Sequence, residues 1–455
     1  MFSNPSSQWL IVPTFSIFSI VFWMTINLID FFDWNQGLGR GLVTLIVNLV
    51  LMALLFLGQT RNLLVAKILT TVNIVIATML TIYYTIFFPS KSHDFEIVQN
   101  GIAFSLSLIT TLVFLRSWLL KQEIGNQIYT RIHLSLVFLC ALFFAFNVPA
   151  IVQGLREPMI IDVGETTLES AKAILSGQNP YTLLLDESNE NIPNLSEYTG
   201  FKYMPLMAIT FMPFSRINEG GIILSNLILY ILVAIMIYLI SDQITSSHTF
   251  SLFSLFLYLL TPLIPNEVFR AGVTDLAPVL YMLLGIFFLR SNSFLSGLFI
   301  GFSVSTKLLP GILLIPLYLP PRNRFSYFLG LFGGIIPIIY FLCKSPEEFI
   351  RNAFVFNLIR PTDTTSWLHY YSDQIGFIVK IIAIAIFVSI SIYSLLRKPS
   401  LVIRCELTII SILFILLTSP INHRNYQIWW IPLLCIVSSA IALRYIEIID
   451  YFDEA

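Results

Sequence analysis

Apolar residues run through this chain in long unbroken blocks, with little of the helical or alternating rhythm that marks a surface element. A bilayer-crossing helix needs about 20 mostly apolar residues, and block after block meets that length. The run Ile222–Ile240 contains no charged residue at all. The pattern predicts an all-α, polytopic membrane protein with about 14 transmembrane helices and one long outer loop. Four crossings are expected near 9–29, 40–58, 64–88 and 97–119, and a fifth near 132–153. The long polar loop 154–203 follows. Further crossings are expected near 220–241, 249–265, 275–290, 294–308, 309–320, 325–343, 375–396, 402–418 and 427–446. The pair 294–308 and 309–320 is short and interrupted by proline, so it reads as a bent or re-entrant pair. Broken backbone at membrane depth must be covered by protein or line a cavity, which marks this region as a site candidate.

The chain divides softly into two parts. Residues 1–125 form an N-terminal four-helix extension with few polar features, and residues 126–455 carry most of the polar clusters. Basic residues near the spans set the orientation. A cytoplasmic N-terminus places Arg61, Arg116, Lys121, Arg131, Arg290, Arg322, Arg324, Arg397, Lys398, Arg404 and Arg444 inside. The loops 154–203 and 344–374 then fall outside, provided that Met204–Phe214, which contains Pro213, forms an outer half-helix and does not cross. Both termini are expected in the cytoplasm of a plasma or inner membrane.

Composition agrees. Charged residues make up 11% of the chain, against about 25% in ordinary soluble domains. A net charge of −1 gives no reason to expect nucleic acid as a partner. Cys140, Cys343, Cys405 and Cys435 form no CxxC and read as small buried residues. The first apolar block, Trp9–Leu28, lacks the basic start and small-residue cleavage site of a signal peptide and reads as a retained helix. GxxxxGK[ST], HExxH and GxSxG are absent.

The polar residues gather on the expected outer side. The loop opens with Asp162, and Thr166–Leu175 predicts a short amphipathic helix closed by Gly177. A carboxylate at the membrane boundary is partly desolvated, which strengthens it as a base; from position alone it is as readily a solvated loop residue. Glu165 supplies a second carboxylate three positions on. Then come Lys202-Tyr203, Arg270 through Asp275, Lys307 and His423-Arg424-Asn425-Tyr426. Lys307 sits between apolar runs, where a cation is costly without a partner or a task; the alternative is a lysine snorkelling from a helix end. Arg270 has Glu267 and Asp275 within reach as simple partners. His423 with Arg424 reads equally as a polar helix cap, and Tyr181, Tyr203 and Tyr426 as interfacial anchors. The loop 344–374 contains Arg351, Arg360, Asp363, Trp367 and His369; it is a candidate for binding the acceptor, with an ordinary solvated loop the favoured reading.

The order of these pieces resembles the GT-C class of membrane glycosyltransferases, in particular glycosyltransferase family 87, related to bacterial polyprenol-phosphate-mannose-dependent mannosyltransferases. The resembling elements are the acidic residue in the first long outer loop, Ser176–Tyr181, Tyr203–Leu206, Gly272–Asp275, Gly297–Pro310 and His423–Tyr426. Two departures stand out: four helices precede the acidic loop, and Asp162 has no neighbouring Asp to make an Asp-x-Asp metal pair.

The resemblance implies a polyprenyl-phosphate sugar donor, a lipid or glycan acceptor and an extracytoplasmic site. Asp162 matches the family's loop aspartate, the base, and His423 a late histidine that assists it. Lys307 matches a lysine at the outer end of a core helix. Lys307, Arg270, Arg424 and Lys202 are then candidate phosphate ligands. Glu165, Tyr181, Tyr203, Asp275 and Tyr426 are candidate substrate contacts. No cofactor is expected, and the sequence offers no support for a divalent metal. The competing reading is a transporter or lipid flippase, against which stand one broken helix pair with no counterpart in residues 1–150 and polar clusters gathered at one face. A structural assembly subunit is the third reading.

Overall fold

A computed structural model of the chain describes residues 136–137, 140–141, 147–148, 150–185, 198–217, 219–259, 261, 263–320, 323–362, 366, 373–419 and 423–453. The four expected N-terminal crossings and the extension 1–125 lie outside the described residues. The described residues form helices joined by turns and short extended stretches, with no strands. Two helices are long and apolar enough to cross a membrane, Gly220–Thr245 and Gly376–Arg397. Two helix pairs pass together: His248–Leu259 with Leu263–Arg270, and Arg324–Gly334 with Ile336–Lys344, the latter bent by 44°. Shorter apolar helices are Leu276–Phe288, Ser293–Thr306, Leu308–Leu317 and Ile431–Arg444. These fit a membrane protein.

The chain forms two compact units. In the first (1–147, 237–263 and 434–455), polar side chains tie apolar helices together. Ser241 Oγ donates to Ser254 Oγ at 2.7 Å, and Asn147 Nδ2 to the Leu259 carbonyl at 3.3 Å. Interhelical bonds of this kind replace the hydrophobic drive that lipid does not provide.

The second unit (148–236 and 264–433) holds every candidate residue. Its spine is a pair of helices in backbone contact. Gly297 and Gly301 on Ser293–Thr306 face Gly330 and Gly334 on Arg324–Gly334, each pair spaced G-x-x-x-G. A Cβ on Gly297 would overlap the Tyr327 carbonyl, and one on Gly330 the Phe294 carbonyl. Serines lock the same helix in place: Ser296 Oγ donates to Gly285 O at 2.8 Å, Ser303 Oγ to Pro278 O at 3.0 Å, and Ser305 Oγ to Gly334 O at 2.7 Å. This rigid helix ends at Thr306. Lys307 is extended (φ −147°, ψ 119°), and the next helix, Leu308–Leu317, has a second non-helical residue at Leu309, ahead of Pro310. The expected break near 308 is therefore real, and Lys307 occupies it.

Two expectations change. The amphipathic helix in the long loop begins at Asp162, four residues before Thr166. Asp162 and Glu165 lie in its first turn, where acidic side chains favour the helix N-terminus, and Thr166 Oγ1 donates to the Asp162 carbonyl at 2.8 Å. Gly177 closes it at φ +77°, as the sequence suggests. Within 344–374, Pro346–Phe349, the π-helix Ile350–Val355 and Phe356–Ile359 replace the solvated loop. The sequence disguises this as a loop because its inward face is partly polar. Buried Asn352 accepts from the Gly200 N–H at 3.2 Å and donates to Tyr181 O at 3.1 Å. Asp363, Trp367 and His369 lie outside the described residues.

Candidate functional site

The site is built where three chain segments meet the end of the glycine-packed helix. The first is the turn before Leu276–Phe288. Gly272 sits at φ +65°, a left-handed conformation that suits glycine. Asn226 Nδ2 clamps the turn by donating to the Val268 and Val273 carbonyls, both at 2.9 Å. The Ile161 N–H donates to Ala271 O at 3.0 Å, docking the start of the Asp162 helix on this turn. A Cβ on Gly164 would approach the Gly272 carbonyl to 2.7 Å, so that helix lies tightly against it.

Asp275 is fully buried and receives three donors. Lys307 Nζ and Trp429 Nε1 both reach Oδ1 at 2.6 Å, and Asn425 Nδ2 reaches Oδ2 at 2.6 Å. A buried ion pair is sustained only when such additional hydrogen bonds offset desolvation. Lys307 is also caged by rings: its Nζ lies 4.8 Å from the Tyr426 centroid, 4.9 Å from Trp429 and 5.6 Å from Tyr203. Cation–π attraction adds to the pairing. Its side chain keeps 12% exposure, so this is not a snorkelling lysine. Arg270 ends the π-helix Asn266–Arg270, which also carries Glu267.

The second segment is the 3-10 helix Arg424–Trp429. Its tight turn puts Asn425 and Trp429 on Asp275 while Tyr426 stacks on Trp429 at 4.8 Å. His423 precedes it, half-buried, with its ring 5.9 Å from Tyr426. The side chain of Arg424 lies outside the described residues.

The third segment is the strap Gly200–Tyr203. Tyr203 is half-buried. Burial pushes its phenol well above the ordinary tyrosine range, Tyr426, Asp162 and Asp275 add to the rise, and Arg360 opposes it. The hydroxyl therefore stays protonated at neutral pH and lies within the electrostatic reach of both aspartates. Tyr181 lies behind the strap with 1% exposure, its hydroxyl donating to Tyr203 O at 2.8 Å and its ring edge-on to Phe349 and Phe341. It supports Tyr203 from the protein side. Lys202, half-buried, sits over the Phe356 ring at 4.5 Å.

Asp162 is exposed, as is Glu165 on the same helix. The protein does not desolvate Asp162 as its position suggested. One of its oxygens accepts the Val163 N–H at 2.8 Å. Among the described residues, no three His, Cys, Asp or Glu side chains gather as a metal site.

Trp429 escaped the sequence reading; it lies four positions after Asn425, and that i, i+4 spacing was the available signal. Asn425 stood in the polar cluster 423–426 without a role of its own, and Arg360 in the loop 344–374.

No curated protein and no solved structure matches the chain. A family model, Glycosyltransferase family 87, matches residues 201–420. That stretch contains Lys202, Tyr203, Arg270, Asp275, Lys307 and Arg360; Asp162, Glu165 and Tyr181 precede it, and His423 and Tyr426 follow it. Over this stretch the chain is similar to glycosyltransferase family 87, a likeness that supports a glycosyltransferase-like protein.

Proposed function

We propose that the protein transfers a sugar, a mannose-like hexose or a pentose, from a polyprenyl-phosphate donor to a lipid or glycan acceptor on the outer face of the membrane. In this reading the chain is a GT-C-type bundle of about 14 transmembrane helices, with the loop 154–203 outside and both termini cytoplasmic. The observation that carries the proposal is the buried Asp275–Lys307 pair caged by Tyr203, Tyr426 and Trp429, inside the stretch that matches the family model.

The chemistry follows. The bond between the sugar's anomeric carbon and the phosphate oxygen breaks, and a bond to the acceptor oxygen forms. Asp162 takes the acceptor's hydroxyl proton, a step in which a placed base contributes about 10²–10⁴-fold. Polyprenyl phosphate leaves with the electron pair. Negative charge grows on it in the transition state, so preplaced cations favour the reaction. Lys202, Arg270 and Arg424 supply that charge, with His423 assisting. Tyr203 and Tyr426 offer hydroxyls and ring faces to a sugar, Glu165 lies on the same helix as Asp162, and Asp275 holds Lys307. The reaction balances without a cofactor.

Sugar transfer from a panel of polyprenyl-phosphate sugars tests the reading, using protein in nanodiscs with a suitable acceptor extract. Transfer by the native protein that disappears in a folded Asp162→Asn variant is the expected result. Transfer that survives the substitution removes Asp162 as the base. Failure with every donor shifts the function to a transporter or assembly subunit.

A further inference from the structure

Lys307 is the cation that sequence marks most clearly for the donor phosphate, yet its ammonium is already committed. Asp275 holds it at 2.6 Å and three rings surround it. A neutralised cation in a closed cage stabilises the site's geometry more than it attracts a new anion.

A second pair of cations gathers at the ring of Phe356, beside the strap that carries Tyr203. Arg360 and Lys202 share one aromatic ring: the Arg360 guanidinium carbon is 5.7 Å, and Lys202 Nζ 4.5 Å, from the Phe356 centroid. Both positions are fixed by the backbone. Asn357 Nδ2 donates to the Lys202 carbonyl at 3.3 Å, tying the strap to the helix that carries Phe356. Arg360 caps that helix in an extended conformation (φ −53°, ψ 128°) ahead of Pro361, which disfavours a helical residue before it. The Arg360 N–H still donates to Phe356 O at 3.0 Å, so the turn is ordered. Among the described residues Arg360 has no carboxylate partner. Its guanidinium is half-buried and lies near enough to Tyr203 to oppose the field of the two aspartates.

We propose that Arg360, with Lys202 across the Phe356 ring, forms the subsite for the phosphate of an isoprenoid phosphate lipid, and that Lys307 is a positioning residue held by Asp275. The proposal rests on the glycosyltransferase reading and names the residue that meets its donor. A guanidinium suits the task because its planar fork binds two phosphate oxygens at once and keeps its charge at any working pH. Phosphate in the donor carries one negative charge and in the leaving lipid nearly two, so the same contact strengthens as the bond to the sugar breaks.

The test uses the full chain in phosphatidylcholine nanodiscs and a short-chain polyprenyl phosphate as the probe, with neutral polyprenol as its control. Arg360→Ala is expected to weaken phosphate-lipid binding by about 10- to 100-fold, the loss of one or two charge-assisted hydrogen bonds. Polyprenol binding stays unchanged, and Arg360→Lys falls between. In transfer assays, donor KM rises and acceptor KM does not. Wild-type binding by Arg360→Ala overturns the proposal, as does an equal loss for polyprenol or a wild-type protein that does not bind the probe. Displacement by inorganic phosphate or phosphatidylglycerol at matching concentration overturns the isoprenoid assignment. Should Arg360→Ala fail to fold, Arg360→Gln carries the same comparison. Sugar transfer by the wild type is measured on the same preparation. Transfer with normal probe binding by Arg360→Ala sinks this inference alone, whereas Arg360-dependent binding without transfer by the wild type sinks the enzymatic reading alone.

Discussion

The carboxylates of Asp162 and Asp275 both bear on Tyr203, and they live in opposite circumstances. Asp275 has no exposure and accepts hydrogen bonds from Lys307, Asn425 and Trp429. Asp162 is exposed at the start of a helix and holds one backbone N–H. A carboxylate saturated by protein donors organises its neighbours and has little capacity left for a ligand. A carboxylate with open lone pairs is free to accept a proton from a substrate. The contrast separates two aspartates that look alike in sequence: Asp275 serves the architecture, and Asp162 is left open for the chemistry proposed above.

The widest separation is expected in catalysis. Asp162→Asn should lower turnover by about 10²–10⁴-fold while melting temperature in detergent stays at the wild-type value. A variant that keeps its rate would erase the distinction from the side of Asp162.

From the side of Asp275, Asp275→Ala strands the Lys307 ammonium in its aromatic cage. Breaking one half of a buried pair costs about 3–5 kcal/mol, which thermal unfolding should register as a large drop in stability. The double variant Asp275→Ala/Lys307→Met should recover part of it, because no buried charge then remains. If Asp275→Ala unfolds like the wild type, Asp275 is not the pillar described.

Gly301→Leu attacks the platform beneath Lys307. A Cβ there would already lie 2.6 Å from the Leu331 carbonyl, and overpacking of this kind costs about 1–3 kcal/mol. Stability and transfer should fall together, whereas Asp162→Asn affects transfer alone. The smallest effect belongs to Tyr181→Phe, which removes the hydroxyl bonded to the Tyr203 carbonyl and leaves the ring. One neutral hydrogen bond is worth about 0.5–1.5 kcal/mol, so a slight destabilisation and a modest change in donor KM are the expected readings.

Much of this architecture was legible in the residues. Apolar blocks predicted helices because a backbone in lipid must satisfy its own hydrogen bonds. Pro310 after Lys307 predicted the break, since a residue near proline leaves the helix. Gly177 read as a helix end. The start of the long-loop helix at Asp162 was missed because its first turn is polar and docks on Ala271 and Gly272, over a hundred residues away. The helices around Asn352 were missed for a similar reason: a buried asparagine looks like a loop residue until its partners, Gly200 and Tyr181, are known.

The sequence by itself determined the helical class, the place where a cation breaks a core helix, and the set of polar residues from which a site had to be drawn. Those are local properties, settled by hydropathy, proline and glycine. Only the tertiary structure decided which of those residues meet. Lys307 finds Asp275 across 32 positions, Asn425 and Trp429 find it across 150 and 154, and Arg360 reaches Phe356 beside Lys202. Such partnerships depend on which faces of packed helices converge, and no residue type specifies in advance whether its charge will be spent inside the protein or left open to a substrate.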